Sequence, residues 1–262
     1  MQNKLSLAQN RIKNLDTAVS DRAYILADPS GGPGLGVLNR LGREIVDGTF
    51  APETRLPDEA SMLKRYSVSR TALREAYSKL AAKGMIVARP KVGTSVRPPA
   101  FWNMLDAEVL GWHLQTKPPE EIARDLYALR RMVEPPAAAL AAGIRDDEEL
   151  RKIEKAYEDM AIKANNEAEL VEADLRFHLE ILFATHNHFI GAFSALIHAA
   201  MISTFRLSWR GAEAAVIKEA RLKQHGDVLE AIRQRKPELA RERMQTLLDD
   251  SISDVNEALG LK

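Results

Sequence analysis

The chain of 262 residues contains no cysteine. That absence excludes disulfide scaffolds, zinc ribbons and thiol nucleophiles. Long apolar runs are also missing, because charge or histidine interrupts each one well short of a membrane-spanning length. The first residues lack the apolar core of a secretory signal, so the expected setting is cytoplasmic, with no membrane partner. A phosphate-binding loop is absent too. Ser30-Gly31-Gly32-Pro33-Gly34-Leu35-Gly36 has neither a Gly-Lys-Ser/Thr ending nor G-x-G-x-x-G spacing, and by composition it reads as a flexible linker.

Net charge is missing as well, with 37 basic residues against 37 acidic ones. Its distribution is uneven. Residues 37–100 carry 12 Lys and Arg against 6 Asp and Glu, whereas residues 101–262 carry 21 against 28. A basic first domain joined to an acidic second one fits a chain in which only one half meets phosphates.

The basic stretch has a clear order of elements. Val37 to Asp47 is predicted to be an amphipathic helix, with Leu38, Leu41, Ile45 and Val46 on one face. Leu56-Pro57-Asp58-Glu59 starts a second helix with Asp58 as N-cap, running to Tyr66 and presenting Leu63 to the core. After the turn Ser67-Val68-Ser69, a third helix runs to about Lys83 and stops at Gly84. Leu73, Ala76, Tyr77 and Leu80 form its apolar stripe. Short strands are expected at Met85–Ala88 and Thr94–Arg97, joined by the basic turn Arg89-Pro90-Lys91-Val92-Gly93. Helix, turn, helix and two-stranded hairpin together describe a winged helix-turn-helix.

In such a module the second helix of the pair enters the major groove, and its first turns reach the base edges. Arg70 and Arg74, four residues apart, share one face at that end, and the arginine fork matches guanine O6 and N7. Ser69 and Thr71 are short donors suited to phosphates. Lys91 stands at the wing tip, Gly93 and Thr94 allow close backbone approach, and Arg55 can reach the DNA backbone. For one arginine alone, a solvated surface charge is the stronger reading; for the whole set it is the weaker one.

LPDEASMLKRYSVSRTALREAYSKLAAKGMI, followed by RPKVGTSV, resembles the GntR family of bacterial transcription regulators. The resemblance spans about residues 37–97 and implies that Arg70 and Arg74 read bases with support from the wing. One departure is Ala60. Some members of the family have a DNA-contacting arginine after the Leu-Pro-x-Glu element.

The remainder is helical in pattern. Residues 100–118 are expected to link the domains, with Phe101 and Trp102 in inter-domain packing. Helices are predicted near 119–142, 147–164, 167–185, 189–209, 213–235 and 237–259. The expected fold class is therefore mainly α. An N-terminal arm (1–36) and a winged helix-turn-helix domain (37–99) precede an all-α bundle of six or seven helices (119–262) that binds an effector and dimerises. Within it, Asp174 and His178 are four residues apart on one helix, and His225 lies on a later one. Carboxylate and imidazoles from separate helices are how bundles build internal metal sites, although an i,i+4 Asp/His pair is also a common ion pair.

This half resembles the effector domain of the FadR subfamily of GntR regulators. The similarity runs through Leu129-Arg130-Arg131-Met132-Val133-Glu134-Pro135, then Asp174-Leu175-Arg176-Phe177-His178, His186-Asn187 and His225. It implies a divalent metal (zinc or similar) on Asp174, His178 and His225, holding a carboxylate effector. It also implies a further histidine where this chain has Leu247; His186, His188 and His198 are possible substitutes, with surface or packing roles the favoured reading. Arg130 is expected to recognise a carboxylate, with a helix-surface ion pair as the alternative, and Asn187 either lines the pocket or caps a turn. Arg206 and Trp209 are candidate lining residues, with packing an equal reading for Trp209. The segment Trp102-Asn103-x-Leu105-Asp106-x-x-Val109-Leu110-x-Trp112 is similar to sugar-acid-responsive members, which implies an aldonate effector.

The expectation is a homodimeric, DNA-binding regulator with no enzymatic activity, acting as a repressor of sugar-acid catabolism. It would bind a near-palindromic double-stranded operator and leave it when a carboxylate effector binds. The rival expectations are a metal-sensing regulator without organic effector, and a metal-dependent enzyme with an appended helix-turn-helix.

Overall fold

The computed structural model describes residues 33–162, 167–208 and 214–258. The arm at 1–32 and Trp209 lie outside the described residues, as does the side chain of Arg206. The chain divides into two compact units with the boundary between Lys117 and Pro118. Among the described residues no helix is long and apolar enough to cross a membrane.

The first unit opens with α1 (Pro33–Val46), which begins inside the Gly-rich segment, earlier than the expected Val37. Proline at the first helical turn fixes a helical φ and gives up an amide that has no partner there anyway. Leu38, Leu41 and Ile45 are fully buried, as their period requires. Next come α2 (Glu59–Tyr66) and α3 (Arg70–Ala82). Asp58 caps α2 by accepting from the Ser61 amide at 2.8 Å, and Ser69 caps α3 by accepting from the Ala72 amide at 3.2 Å. Between them Ser67 turns the chain in the left-handed region, at φ 54°.

Leu73, Ala76 and Leu80 of α3 are buried as expected, with Tyr77 half-buried beside them. On α2 the deepest residue is Met62, and Leu63 only packs against the margin of the core. Strands β1 (Ile86–Arg89) and β2 (Gly93–Val96) pair antiparallel, with Ile86 opposite Val96 and Arg89 opposite Gly93. Each is offset by one residue from the sequence expectation. A bridge between Arg55 and Ser95 adds a third edge to the wing.

Beyond a single 3-10 turn (Pro99–Phe101), α4 (Ala107–Thr116) occupies much of the expected linker. Val109 and Trp112 of α4 belong to the same core as α1, α2 and α3. Trp102 is buried within this unit, its indole donating to the Arg97 carbonyl at 2.8 Å.

The second unit is a helical bundle. It comprises α5 (Pro119–Ile144), α6 (Asp147–Ile162), α7 (Glu167–Phe183), α8 (His188–Gly191), α9 (Ser194–Ser208), α10 (Ala214–Arg233) and α11 (Pro237–Ala258). The helix expected over 189–209 is divided into α8 and α9. Asn187 starts the short piece by accepting from the amides of Phe189 and Ile190. Helix α5 continues through Pro135 and Pro136. Phe177, Ile181, Ile153, Val228, Ile232, Met244 and Leu247 form the main core. Each fully buried aliphatic or aromatic side chain contributes about 1.5–3 kcal/mol.

Candidate nucleic-acid interface and helical sensor site

In the first unit the candidate DNA-facing residues collect at two places. Arg70 and Arg74 project from the start of α3 with side chains 72% exposed. Both guanidinium groups meet one carboxylate oxygen of Glu59 on α2, at 3.3 and 3.7 Å. Sequence reasoning passed over Glu59, because the Leu-Pro-x-Glu element reads locally as a helix start and the pairing is tertiary. Thr71 is exposed beside them, while the Ser69 hydroxyl is used as the N-cap of α3. Ala60 is exposed and offers no polar group.

At the wing, Lys91 is exposed and holds φ 63°. Gly93 has φ 103°, and a Cβ there would come 2.6 Å from the Arg55 guanidinium. Glycine is therefore what lets Arg55 lie across the strand. Thr94 is half-buried, and its carbonyl accepts from the Leu56 amide. Arg89, exposed at the end of β1, adds a further cation that the sequence reading left within the turn.

In the second unit the structure brings Asp174, His178 and His225 together inside the bundle. One donor atom from each lies within 4.8 Å of the others. Asp174 and His178 come from α7, and His225 comes from α10. Phe177 walls the cluster, its ring edge-on to both imidazoles at 5.8 and 5.1 Å between centroids.

The hydrogen bonds around the two rings define which nitrogens face inward. Nδ1 of His225 donates to the Arg221 carbonyl at 2.7 Å, since a carbonyl only accepts. Its Nε2 then points at Asp174 Oδ1, 2.8 Å away. Nδ1 of His178 meets Glu134 Oε2 at 2.5 Å, and its Nε2 faces the same Asp174 oxygen at 3.4 Å. Each ring thus has its outer nitrogen fixed by an oxygen and its inner nitrogen turned toward one carboxylate. That is the outer-shell arrangement that orients imidazoles toward a cation. By this donor chemistry the three residues fit a divalent metal.

Glu134 of α5 is fully buried, as is its partner Arg130, whose Nε lies 2.5 Å from Oε1. Sequence reasoning assigned no role to Glu134, because an Arg and a Glu four residues apart on a helix read as a surface pair. Only burial distinguishes this one. Arg131, next in sequence, does make an exposed pair, with Asp249 at 2.9 Å. Arg130 Nη2 also lies 3.3 Å from His178 Nε2, beside the nitrogen that a metal would use.

The charges act strongly on one another. Burial pushes the Glu134 carboxyl up, but the Arg130 guanidinium and the His178 ring outweigh it and hold it down at about 2. Burial likewise raises the Asp174 carboxyl, and His225 and His178 bring it well below the carboxylate range. For the His178 ring, burial and Arg130 favour the neutral form, whereas Glu134 and Asp174 favour the charged one and prevail.

The remaining candidates lie elsewhere. Asn187 is exposed and serves as the α8 cap. His186 pairs with Glu149 at the surface at 2.8 Å, and His188 is exposed. His198 is buried on α9. Leu247 is packed in the main core, its carbonyl accepting from the Arg221 guanidinium at 3.2 Å.

A winged helix-turn-helix unit followed by a helical bundle with a buried Asp/His/His cluster defines a DNA-binding regulator with a small-molecule sensing domain. Residues 34–96 match the bacterial regulatory proteins of the gntR family, and residues 125–250 match the FCD domain. The chain belongs to the GntR family of transcription regulators, in the branch that carries an FCD domain.

Among its relatives is the galactonate operon transcriptional repressor of Escherichia coli (strain K12). The two are 30% identical over 83% of this chain and 94% of the relative. The HTH-type transcriptional regulator YieP of the same strain is 33% identical over 70% of this chain and 75% of its own length. A solved structure of Lar, which controls the expression of the Listeria monocytogenes agr system, shares the fold. It has a TM-score of 0.56 and 20% identity, covering 87% of this chain and 97% of that one. The matched families and these relatives are regulators of transcription, which sets aside the reading as a metal-dependent enzyme.

Proposed function

We propose that the chain is a homodimeric repressor of sugar-acid catabolism genes that leaves a near-palindromic operator when a small carboxylate such as an aldonate binds in the bundle. The observation that carries this reading is the charge balance of the buried cluster. Two carboxylates, Glu134 and Asp174, face one guanidinium, Arg130; the metal-free cluster makes up the balance with a charged His178 ring, and metal binding, which needs that ring neutral, would leave the protein groups one positive charge short. A divalent metal held by Asp174, His178 and His225 would reverse that sign and supply a Lewis-acid anchor for a carboxylate. A monocarboxylate would then restore neutrality, with Arg130 beside it as the directional partner. The 30% identity to a galactonate operon repressor supports an aldonate as the acid. As a DNA-binding protein, the regulator would act in the cytoplasm.

The test is a thermal-shift and operator-release experiment with zinc alone, D-galactonate alone, and both together. A ligand selective for the folded state raises the melting temperature by mass action. Stabilisation and release that need both components support the reading, and indifference to galactonate and other aldonates in the presence of zinc removes it. A second reading, metal sensing without organic effector, is favoured by one observation: Glu134 already occupies Arg130. It predicts release by zinc alone.

A further inference from the structure

Lys83 lies at the far end of the reading helix from Arg70. At 1.5 Å per residue that separation is roughly 20 Å, so the side chain is remote from the base-reading turns. Its ammonium nevertheless has a demanding set of partners. It donates to Asp106 Oδ1 at 2.8 Å and Oδ2 at 2.7 Å, and lies 2.6 Å from Glu108 Oε2. The side chain is only 11% exposed, so this is a largely desolvated bridge and not a screened surface pair.

Both ends of the bridge are helix caps. Lys83 is the C-cap of α3, and Asp106 is the N-cap of α4, accepting from the amides of Glu108 and Val109. Backbone contacts run in parallel. The Asn103 amide donates to the Lys83 carbonyl at 2.9 Å, and Gly84 sits so close to Phe101 that a Cβ would come 2.1 Å from its carbonyl oxygen. Further along α4, the Trp112 ring fills the notch left by Gly42 on α1, and its indole donates to Asn39 at 3.1 Å.

We propose that Lys83 is a positioning residue for DNA recognition: by bridging Asp106 and Glu108 it fixes the end of the reading helix to α4, so that the two helices move as one lever. Helix α4 ends at Thr116, and the second unit begins at Pro118. Any displacement of α4 is then delivered to Arg70 and Arg74 without loss in between. The bridge lies within the DNA-binding unit and acts whatever the effector is.

The experiment uses the full chain and a fluorescent duplex that the wild-type protein has selected from a randomised library, with an unrelated duplex of equal length as control. Lys83→Met is expected to weaken the selected duplex about tenfold, leave the unrelated one within about twofold, and keep the slope of affinity against salt. Lys83→Arg is expected to keep wild-type affinity. The pair Asp106→Asn with Glu108→Gln retains a good N-cap and the lysine, and remains informative if Lys83→Met does not fold. Charge alone would make this less acidic protein bind DNA more tightly, whereas the proposal has it bind the selected duplex more weakly. Equal losses on both duplexes with the salt slope reduced by about one would make Lys83 a phosphate contact and overturn the proposal. So would unchanged or tighter binding in the Asp106/Glu108 pair.

Discussion

Asp174 Oδ1 stands 2.8 Å from Nε2 of His225, and the other nitrogen of that ring is already committed to the Arg221 carbonyl. The contact joins α7 to α10 at the centre of the cluster. Asp174→Ala removes the oxygen that both imidazoles face. Wild-type protein dialysed against zinc is expected to retain about one metal per chain, and Asp174→Ala or His225→Ala to lose it, with affinity down by about tenfold or more. Elemental analysis after dialysis gives the answer; equal retention in all three proteins would dismiss the site.

Arg130→Ala leaves the Glu134 carboxylate buried and without its strongest partner. Truncating one member of a buried ion pair typically costs about 3–5 kcal/mol, and a loss of that order is expected in urea unfolding. Arg130→Leu combined with Glu134→Leu removes both charges and is expected to cost less than the sum of the two single changes. Additive losses would show that the pair is not coupled.

At the DNA-reading end, Arg70→Ala and Arg74→Ala are each expected to weaken operator binding by about 1–3 kcal/mol and to relax base preference at one position. Binding to libraries of single-base operator variants measures both effects together. A uniform loss across all variants would assign the arginine to phosphate and not to a base.

Gly84 holds φ 76°, with Phe101 backbone where a Cβ would be. The left-handed conformation alone costs a non-glycine residue about 1–2 kcal/mol, and here the neighbour is backbone that cannot rotate away. Gly84→Ala is expected to speed hydrogen exchange in α3 and α4 together while leaving α10 and α11 unchanged.

Burial holds the His198 ring below its ordinary value of 6.5. The unfolded chain therefore binds a proton in a pH range where the folded chain does not, so the folded state loses stability as the pH falls through about 6.5. Above that value the contribution is complete. Comparing wild-type and His198→Leu melting temperatures from pH 8 down to about pH 5 isolates it, and parallel curves would show that the ring does not contribute.

Much of this architecture is local enough to read from a linear chain. Asp58 and Ser69 announce helix starts because capping depends on the next three residues, and the α3 stripe of Leu73, Ala76 and Leu80 follows from helical period alone. The mainly helical class and the winged unit were legible for that reason. The break between α8 and α9 was hidden, because apolar residues continue across it, from Ile190 through Ala192 and Phe193 to Leu196. Glu134 was hidden because its spacing from Arg130 is the same for a surface pair as for a buried one. The docking of α4 was hidden because Gly42, Lys83 and Trp112 are far apart in sequence and become neighbours only in the folded unit. At the cluster, spacing offered Asp174 and His178 as a pair. His225 was read with them as a residue of a later helix, and only the folded bundle gives its distance from the pair.

The polar contacts of the buried cluster form a thread through the second unit. Arg130 and Glu134 on α5 meet His178 on α7, Asp174 meets His225 on α10, and Arg221, one turn earlier, reaches the Leu247 carbonyl and the Asp254 carboxylate on α11. Apolar packing alone lets helices slide past one another by small amounts at little cost. A run of directional bonds through the driest part of the bundle does not, because each helix must stand at a fixed height for its neighbour's bond to close. Four helices are thereby locked in register to one another. If a small ligand rearranged one link, the neighbouring bonds would couple that change to the other three helices, which favours a response in steps over one by degrees.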